Sequence, residues 1–455
     1  MKNGKRSSFS GKLGYVLAAA GASVGLGNIW RFPYLAAKYG GGIFLIIYIV
    51  LALTFGYTMI VAETAIGRMT RKSPVGAFKS FGKKKWLSFG GWINAVIPVL
   101  IVPYYSVIGG WVIKYLVEYF RGNAKLLAED GYFTDFISNG VSTELCFVAF
   151  CAFTLIIIFA GVQNGIERVS KIMMPILIVL SVIIAVYSVT RPGALAGVKY
   201  FLVPNVKNFS WMTVVSAMGQ MFYSLSIAMG ILITFGSYMK KDTAIEDSTR
   251  NVEVFDTGIA IMAGLMIIPA VFAFSGGDPD TLQAGPSLMF ITIPKVFQNM
   301  GFGTVIGIVF FLLVLFAAVT SSIALTESAV STFEDELGWG RKKATVLVGV
   351  IMLVLGSLSS LGYGPLAGIK IIGMQFLDLF DFLTNSVMMP IAALLTSLFV
   401  SRVVGIDKIE AEIIHGESAF RRKKVFVVMI KYLCPVFAII ILLSSVANAL
   451  GWIKM

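Results

Sequence analysis

Residues 17–34 read LAAAGASVGLGNIWRFPY, an apolar stretch with three glycines near its middle. It belongs to an apolar segment at 13–36, long enough to cross roughly 30 Å of hydrocarbon as a helix. Glycine raises the free-energy cost of a continuous helix. Because unwound backbone at membrane depth survives only where it lines a protein cavity, we expect a spanning segment that is interrupted at Gly21, Gly25 and Gly27.

A second interruption is predicted in residues 219–238, GQMFYSLSIAMGILITFGSY, where Ser224, Ser226 and Gly230 lie at similar depth. The two breaks fall in the first and sixth apolar segments, as expected for two inverted repeats. Half-helix ends would then meet at mid-membrane, where amide ends can hold a carboxylate and free carbonyls a cation. Alternatively, the glycines only provide packing faces between helices. Because the two breaks occur at corresponding positions of the two repeats, a binding site is favoured over simple packing faces.

The composition excludes a soluble protein. Of 455 residues, 57% are hydrophobic and 13% charged, too few charges to cover a soluble surface. The predicted fold is an all-α integral membrane protein with eleven transmembrane helices: two inverted five-helix repeats, with discontinuous helices 1 and 6, plus one extra helix. The predicted spans are 13–36, 41–67, 91–120, 143–160, 166–189, 211–238, 254–273, 305–333, 344–361, 376–401 and 425–452.

These spans form one predicted transporter domain, 1–455. Repeat one covers about 13–189, repeat two about 211–401, and the extra helix about 425–452. Between the seventh and eighth spans, the stretch GPSLMFITIPKVF at 285–297 is apolar enough to fold back onto the protein.

The net charge of +13 does not indicate nucleic-acid binding, because the charges lie in short loops between apolar segments. With the N-terminus inside, 25 Lys and Arg residues fall in inner loops and 10 in outer ones. This asymmetry predicts a cytoplasmic N-terminus and an outer C-terminus. Cys146, Cys151 and Cys434 lie in apolar segments, so a disulfide framework is not expected. His415 is a single histidine and cannot form a metal site by itself.

Polar side chains inside the predicted spans are costly and need a role. Glu63 is expected to accept hydrogen bonds from backbone donors of the unwound stretches. Asp256 opens the predicted seventh span and could be a helix cap. Thr320 and Ser321 could bind a hard cation through their hydroxyls, or bond back to carbonyls one turn earlier. The motif alone favours hydrogen bonds back to carbonyls one turn earlier.

Two oppositely charged pairs lie on opposite sides of the predicted membrane. Arg31 and Asp381 fall toward the outer side and could pair across a vestibule. Arg6 and Asp335 fall toward the inner side and could pair likewise. Each pair could instead be ordinary interfacial charge.

Several motifs resemble the neurotransmitter:sodium symporter family, whose bacterial members carry amino acids across the plasma membrane. The resemblance covers nearly the whole chain. Its motifs are GASVGLGNIWRFPY at 21–34, AETAIGR at 62–68, Tyr104–Tyr105, GQMFYSLSIAMG at 219–230, AAVTSSIA at 317–324, FEDELG at 333–338 and LDLFDF at 377–382.

The resemblance implies two sodium sites, a substrate site and two gates. Sodium site one would comprise Ser23, Asn28, Ser224 and Asp256, with the substrate carboxylate. Sodium site two would comprise Gly21, Val24, Ala317, Thr320 and Ser321. The substrate would contact Ala22, Gly25, Leu26, Gly27, Ile101, Tyr105, Tyr223, Ser224, Ser226, Met229, Ser321 and Leu325. The outer gate would be Arg31, Asp381 and Gln220, closed over by Tyr105 and Tyr223, and the inner gate Arg6, Asp335 and Tyr238.

The chain departs from parts of the family at informative positions. Monoamine transporters carry an aspartate where this chain has Gly25, which implies a substrate with its own carboxylate. Met229 replaces a phenylalanine of the leucine transporter, and a flexible methionine accommodates a larger side chain. Asp256 and Ala260 stand where chloride-dependent members have asparagine and serine, so chloride is not expected to be required. Gly165 and Pro175 match a spacing that lets the inner half of the fifth helix unwind.

The sequence therefore predicts a sodium-coupled importer of neutral, hydrophobic or aromatic L-amino acids, working by alternating access in the bacterial inner membrane. Its expected partners are that amino acid, sodium ions and the lipid bilayer, with no nucleic acid. It is not expected to be an enzyme, since no nucleophile–base pair is evident. The alternative is an amino-acid sensor of the same fold without net transport.

Overall fold

A computed structural model of the chain describes residues 6–82, 84–276, 285–449 and 451–452. Helices make up most of these residues, which confirms the predicted all-α class. The helices that correspond to the predicted spans are here labelled α1 to α11, with "a" and "b" for the halves of a broken one. Their bounds are α1a Lys12–Ser23, α1b Gly27–Lys38, α2 Gly42–Thr70, α3 Lys85–Phe120, α4 Gly140–Phe159, α5 Val162–Val189, α6a Trp211–Ser224, α6b Ile231–Tyr238, α7 Ile245–Ser275, α8 Gly303–Leu337, α9 Arg341–Leu361, α10 Phe376–Val404 and α11 Lys423–Ala449.

Both predicted interruptions are present, although the first begins after Ser23, so that Gly21 lies inside α1a. The axes of α1a and α1b differ by 54° across the residues between Ser23 and Gly27. Between α6a and α6b the chain leaves the helix, and Ser226 and Ala228 take φ angles of 52° and 59°. A left-handed backbone at a residue with a side chain costs about 1–3 kcal/mol, so surrounding contacts must hold it in place.

The number of spans is only partly supported by helix length. In the described part of the chain, nine helices are long and apolar enough to cross a membrane, or ten if α1a and α1b form one span. The sixth predicted span is divided into two helices too short to qualify singly. The count of eleven therefore stays a prediction.

The predicted fold-back of the stretch 285–297 is confirmed. Residues Leu288–Gln298 form a short apolar helix on the predicted outer side, and Leu288, Phe290 and Ile293 are fully buried. Here and below, inner and outer refer to the predicted orientation of the chain. The hydroxyl of Tyr115 in α3 donates a hydrogen bond to the carbonyl of Phe290 over 2.8 Å. This segment is therefore fixed to α3 by both apolar packing and a backbone contact.

The structure corrects one boundary that matters for function. The seventh span was predicted to begin at 254, but α7 begins at Ile245. Asp256 therefore lies about three turns inside the helix and is fully buried. The interpretation of Asp256 as a helix cap is wrong, because its carboxylate is far from the first turn.

Helix α5 is helical throughout in this structure, across both Gly165 and Pro175. Its first turns are a π-helix, Val162–Glu167. The carboxylate of Glu167 accepts hydrogen bonds from the amide and hydroxyl of Ser10. The N-terminal segment thus rests on the inner end of α5, and unwinding there remains a prediction.

Candidate functional site

A small cavity of about 30 Å³ lies between the two breaks, bounded by α3 and α8. Its lining residues are Ala22, Ser23, Gly25, Leu26, Gly27, Asn28, Ile101, Tyr105, Tyr223, Ser226, Met229, Ser321 and Leu325. Every residue predicted to contact substrate lines this cavity except Ser224, which lies beside it in a polar cluster.

One end of the cavity is polar. The hydroxyl of Tyr105 accepts a hydrogen bond from the amide of Leu26 over 3.3 Å. A Cβ atom at Gly25 would lie 2.7 Å from the Ser321 hydroxyl and 3.1 Å from the Tyr105 hydroxyl. The absence of a side chain at position 25 therefore leaves these groups free to contact a small anionic group such as a carboxylate.

The other end of the cavity is apolar. Ile101, Met229 and Leu325 line it from three different helices or breaks, and each is almost fully buried. Tyr223 closes the outer side, with its ring packed on the backbone of Gly27. A carboxylate-sized polar end opposite an aliphatic and aromatic end is the shape expected for a neutral amino acid with an apolar side chain.

The predicted side chains of sodium site one meet in a fully buried polar cluster. The Asn28 side-chain amide donates to Oδ1 of Asp256 over 2.7 Å and to the Ser224 hydroxyl over 3.0 Å. The Ser224 hydroxyl lies 2.9 Å from both oxygens of the Asp256 carboxylate. Tyr48 completes the cluster, with its hydroxyl 3.1 Å from Oδ2 of Asp256. The fourth predicted residue, Ser23, lines the adjacent cavity.

The predicted groups of sodium site two also converge. The Ser321 hydroxyl lies 3.2 Å from the carbonyl of Gly21 and 3.4 Å from that of Val24. The Thr320 hydroxyl lies 3.2 Å from the carbonyl of Ala317. Hydroxyl and carbonyl oxygens are the donors that hard cations prefer. The arrangement joins the break in α1 to α8.

The alternative interpretation, in which a hydroxyl bonds back to a carbonyl one turn earlier, applies only to Thr320. Thr320 donates to the carbonyl of Phe316, one turn earlier, over 2.9 Å. Ser321 instead donates to carbonyls across the interface with α1. The two hydroxyls therefore differ: the first is held by its own helix, and the second cross-links two helices.

The break in α6 is held by two side chains. Oε1 of Glu63 accepts a hydrogen bond from the amide of Ala228 over 2.8 Å, which confirms its predicted role for the break in α6. The Ser226 hydroxyl donates to the carbonyl of Ala22 over 2.9 Å. These contacts stabilise the left-handed residues and tie the two breaks to each other.

The inner side is closed by a connected polar network. Arg6 and Asp335 form the predicted ion pair, with 2.5 Å between Nη1 and Oδ1. Arg6 also donates to the hydroxyls of Ser237 and Ser331. Its guanidinium lies 5.0 Å from the centre of the Tyr238 ring, a distance typical of a cation–π contact.

On the outer side, the structure corrects the predicted ion pair. Within the described residues, Arg31 and Asp381 form no direct ion pair. Asp381 instead accepts hydrogen bonds from Tyr104 over 3.2 Å and from Asn385 over 2.6 Å. The Arg31 guanidinium lies 5.4 Å from the centre of the Tyr223 ring. Both charges line one vestibule, but each is satisfied by a different neighbour.

Sequence reasoning did not predict several partners. Gln220 donates to the carbonyl of Gly27 over 3.1 Å, so it braces the break in α1 and does not pair with Arg31. Arg341 forms a bidentate pair with Glu327, at 3.0 and 2.5 Å, and Glu327 accepts from the Tyr238 hydroxyl. The only signal in the sequence for the Arg341–Glu327 pair was that a charged residue such as Glu327 is improbable inside a membrane-spanning helix such as α8.

Comparison with known proteins places this geometry in a known family. The family model described as "Sodium:neurotransmitter symporter family" matches residues 6–127 and 134–452. The chain is 34% identical over 450 residues to the uncharacterized sodium-dependent transporter YhdH of Bacillus subtilis, covering 98% of this chain and 99% of the relative. It is 31% identical over 460 residues to an uncharacterized sodium-dependent transporter of Haemophilus influenzae, covering 97% of this chain and 99% of the relative.

A solved structure has the same fold. The crystal structure of MhsT in complex with L-phenylalanine is 35% identical in sequence, with a TM-score of 0.86. The similarity covers 97% of this chain and 100% of MhsT. With two broken helices around a buried cavity and a family match over nearly the whole length, the chain belongs to the sodium:neurotransmitter symporter family and is a membrane transporter, not an enzyme.

Proposed function

We propose that the protein imports neutral L-amino acids with hydrophobic or aromatic side chains, driven by sodium. The observation that carries the proposal is the cavity, which has a polar end at Gly25 and Tyr105 and an apolar end at Ile101, Met229 and Leu325. The structure of MhsT with L-phenylalanine supports this substrate class, because the two chains share fold and sequence along their length.

Sodium site one would couple ion and substrate directly. Asn28, Ser224 and Asp256 lie beside the polar end of the cavity, so a substrate carboxylate would complete the shell of an ion held there. The Asn28 oxygen now accepts from the amide of Gly25 over 3.2 Å and would turn to the ion. Each ligand would then raise the affinity of the other, as linkage requires.

Sodium site two would couple the ion to conformation. Gly21 lies in the last turn of α1a and Val24 follows it in the break, whereas Thr320 and Ser321 belong to α8. An ion bound between them would hold α1 against α8 and keep the inner side closed. Loss of the ion to the cytoplasm would remove that restraint and favour inward opening.

Transport would proceed by alternating access around this fixed site. The bundle of α1, α2, α6 and α7 would rock against the remaining helices. The network of Arg6, Asp335 and Tyr238 would close the inner side, while Tyr223 separates the cavity from the outer vestibule. In this proposal the N-terminus faces the cytoplasm of a bacterial cell and the C-terminus faces outward.

Chloride would not be required. The carboxylate of Asp256 is buried beside the proposed first sodium site, so it would supply the negative charge that a bound anion would otherwise provide. A second anion in the same low-dielectric pocket would be repelled. Ala260, one turn later and fully buried, offers no hydroxyl to an anion.

A screen of the twenty amino acids for binding to purified protein, in sodium and in potassium buffers, tests the substrate class. We expect phenylalanine, tyrosine, tryptophan or leucine to bind in sodium only, and glutamate and lysine not to bind. Binding that is equal in both buffers, or confined to charged amino acids, would contradict the proposal. The sensor alternative shares this binding pattern and is separated from it by uptake into proteoliposomes.

A further inference from the structure

Arg68 is a buried charge at the inner end of α2 that the proposed mechanism does not use. Its side chain is fully buried. Its Nε atom donates to Oε1 of Glu412 over 2.7 Å. The guanidinium also donates to the carbonyls of Glu412 and Thr243. A buried guanidinium is costly unless it is paired, so these contacts are tightly specified.

On one side, Arg68 belongs to the proposed moving bundle. A Cβ atom at Gly67 would lie 2.0 Å from the carbonyl of Ile233, and one at Gly236 would lie 2.4 Å from that of Thr64. Helices α2 and α6b therefore pack backbone against backbone, with no space for a side chain between them. Because interfaces this close do not deform continuously, the two helices should move as one body.

On the other side, Glu412 belongs to a helix that continues α10. This helix, Ile406–Ile413, follows α10 after Gly405, whose φ of 88° is readily adopted only by glycine. Helix α10 itself packs on α3, where Tyr104 donates to Asp381 over 3.2 Å. Helix α10 is thus held by α3 near its outer end and by α2 beyond its inner end.

We propose that the Arg68–Glu412 pair is a joint through which the bundle moves α10, with Gly405 as the hinge. The inference rests on the proposed alternating-access function. When the inner end of α2 moves, the helix Ile406–Ile413 follows it, and α10 carries Asp381 relative to Arg31 across the outer vestibule. Arg68 is in this sense a positioning residue that couples the two sides of the membrane.

The test measures the outer vestibule while the inner joint is broken. A cysteine is placed on α10 by Ser386→Cys, which lines the vestibule, in a chain with Cys146→Ala. In the otherwise wild-type chain, sodium should change the rate of labelling at position 386. With Glu412→Gln, this sodium response should be lost and the maximal uptake rate should fall about fivefold or more. Sodium-dependent amino-acid binding should remain.

Glu410→Gln is the matched control. Glu410 lies on the same short helix, but its carboxylate pairs with Lys423 of α11 over 2.6 Å instead of with a residue of α2. It should leave both the sodium response and the uptake rate unchanged. Glu412→Asp keeps the charge but withdraws the carboxylate by one methylene, and it should give an intermediate response. If the Glu412→Gln variant no longer binds substrate, the test rests on the Glu412→Asp variant. A normal sodium response at position 386 and a normal uptake rate in Glu412→Asp would overturn the proposed joint.

The result separates this inference from the proposed function. If the wild-type chain shows neither sodium-dependent binding nor uptake, the proposed function fails. If the wild type transports and Glu412→Gln keeps the full sodium response at position 386, only the joint is wrong. Equal losses in the Glu410→Gln control would also overturn it, because the effect would then not depend on contact with α2.

Discussion

The side-chain nitrogen of Asn28 lies 2.7 Å from Oδ1 of Asp256, in the fully buried polar cluster beside the cavity. The pair joins the first turn of α1b to α7. A carboxylate at this depth is costly and is retained where it serves binding. Its position beside the proposed first sodium site makes Asp256 the fixed negative charge of that site.

The first prediction concerns chloride. Wild-type uptake should be unchanged when gluconate replaces chloride, because Asp256 already provides the negative charge. Asp256→Asn combined with Ala260→Ser removes that charge and adds a hydroxyl one turn away, so uptake should become chloride-dependent. Ala260→Ser alone is the control and should stay chloride-independent. Wild-type uptake that collapses in gluconate would contradict the charge argument.

The second prediction concerns sodium site two. Thr320→Ala with Ser321→Ala removes the hydroxyl that lies 3.2 Å from the carbonyl of Ala317 and the one that contacts the carbonyl of Gly21 in α1a. Each lost charge-assisted contact costs about 1.5–3 kcal/mol, so sodium affinity should fall by at least tenfold. A sodium titration of amino-acid binding measures this. Ser322→Ala, on the same helix but bonded to Thr154 of α4, is the control. An unchanged sodium midpoint in the double variant would rule out the assignment.

The third prediction concerns the polar end of the cavity. Gly25→Ala places a methyl group 2.7 Å from the Ser321 hydroxyl, within the space assigned to the substrate carboxylate. Binding of amino acids should be severely weakened while the protein still folds, as judged by its thermal unfolding. Decarboxylated analogues offer a second test without mutation. Phenethylamine that competes as well as phenylalanine would show that no carboxylate is recognised there.

The fourth prediction concerns the inner gate. Arg6→Ala removes the ion pair with Asp335 and the contacts with Ser237, so the inner side should open more readily. Maximal uptake should fall and cytoplasmic accessibility of the site should rise, as measured by cysteine labelling. Lys79→Gln, which breaks the exposed pair with Glu336, is the control and should change neither. Reduced labelling in Arg6→Ala would argue that the network does not close this side.

The broken helices could be predicted from the sequence because their cause is local. Glycine and serine at mid-span weaken the helix wherever it lies, and two such breaks in register imply a shared cavity. The start of α7 could not be found in the same way. Residues 245–253 carry several charged side chains, so hydropathy placed the start of the span too late, although the helix already begins at Ile245.

Contacts between distant segments were the least predictable feature. Arg31 and Asp381 were paired from their topology, but Tyr104, Asn385 and Tyr223 compete for them in the vestibule. The sequence reveals the sign and approximate depth of each charge but not its neighbours. Glu412 joins Arg68 across 344 positions, and no local pattern indicates such a contact.

Uptake into proteoliposomes tests the central claim most directly. Vesicles containing the purified chain are given radiolabelled L-phenylalanine under an inward sodium gradient, under potassium alone, and with a sodium ionophore. The account predicts accumulation above the external concentration that needs the gradient and is abolished by the ionophore. Sodium-dependent binding without accumulation would contradict it and support a sensor, and accumulation equal in potassium would show that sodium does not drive transport.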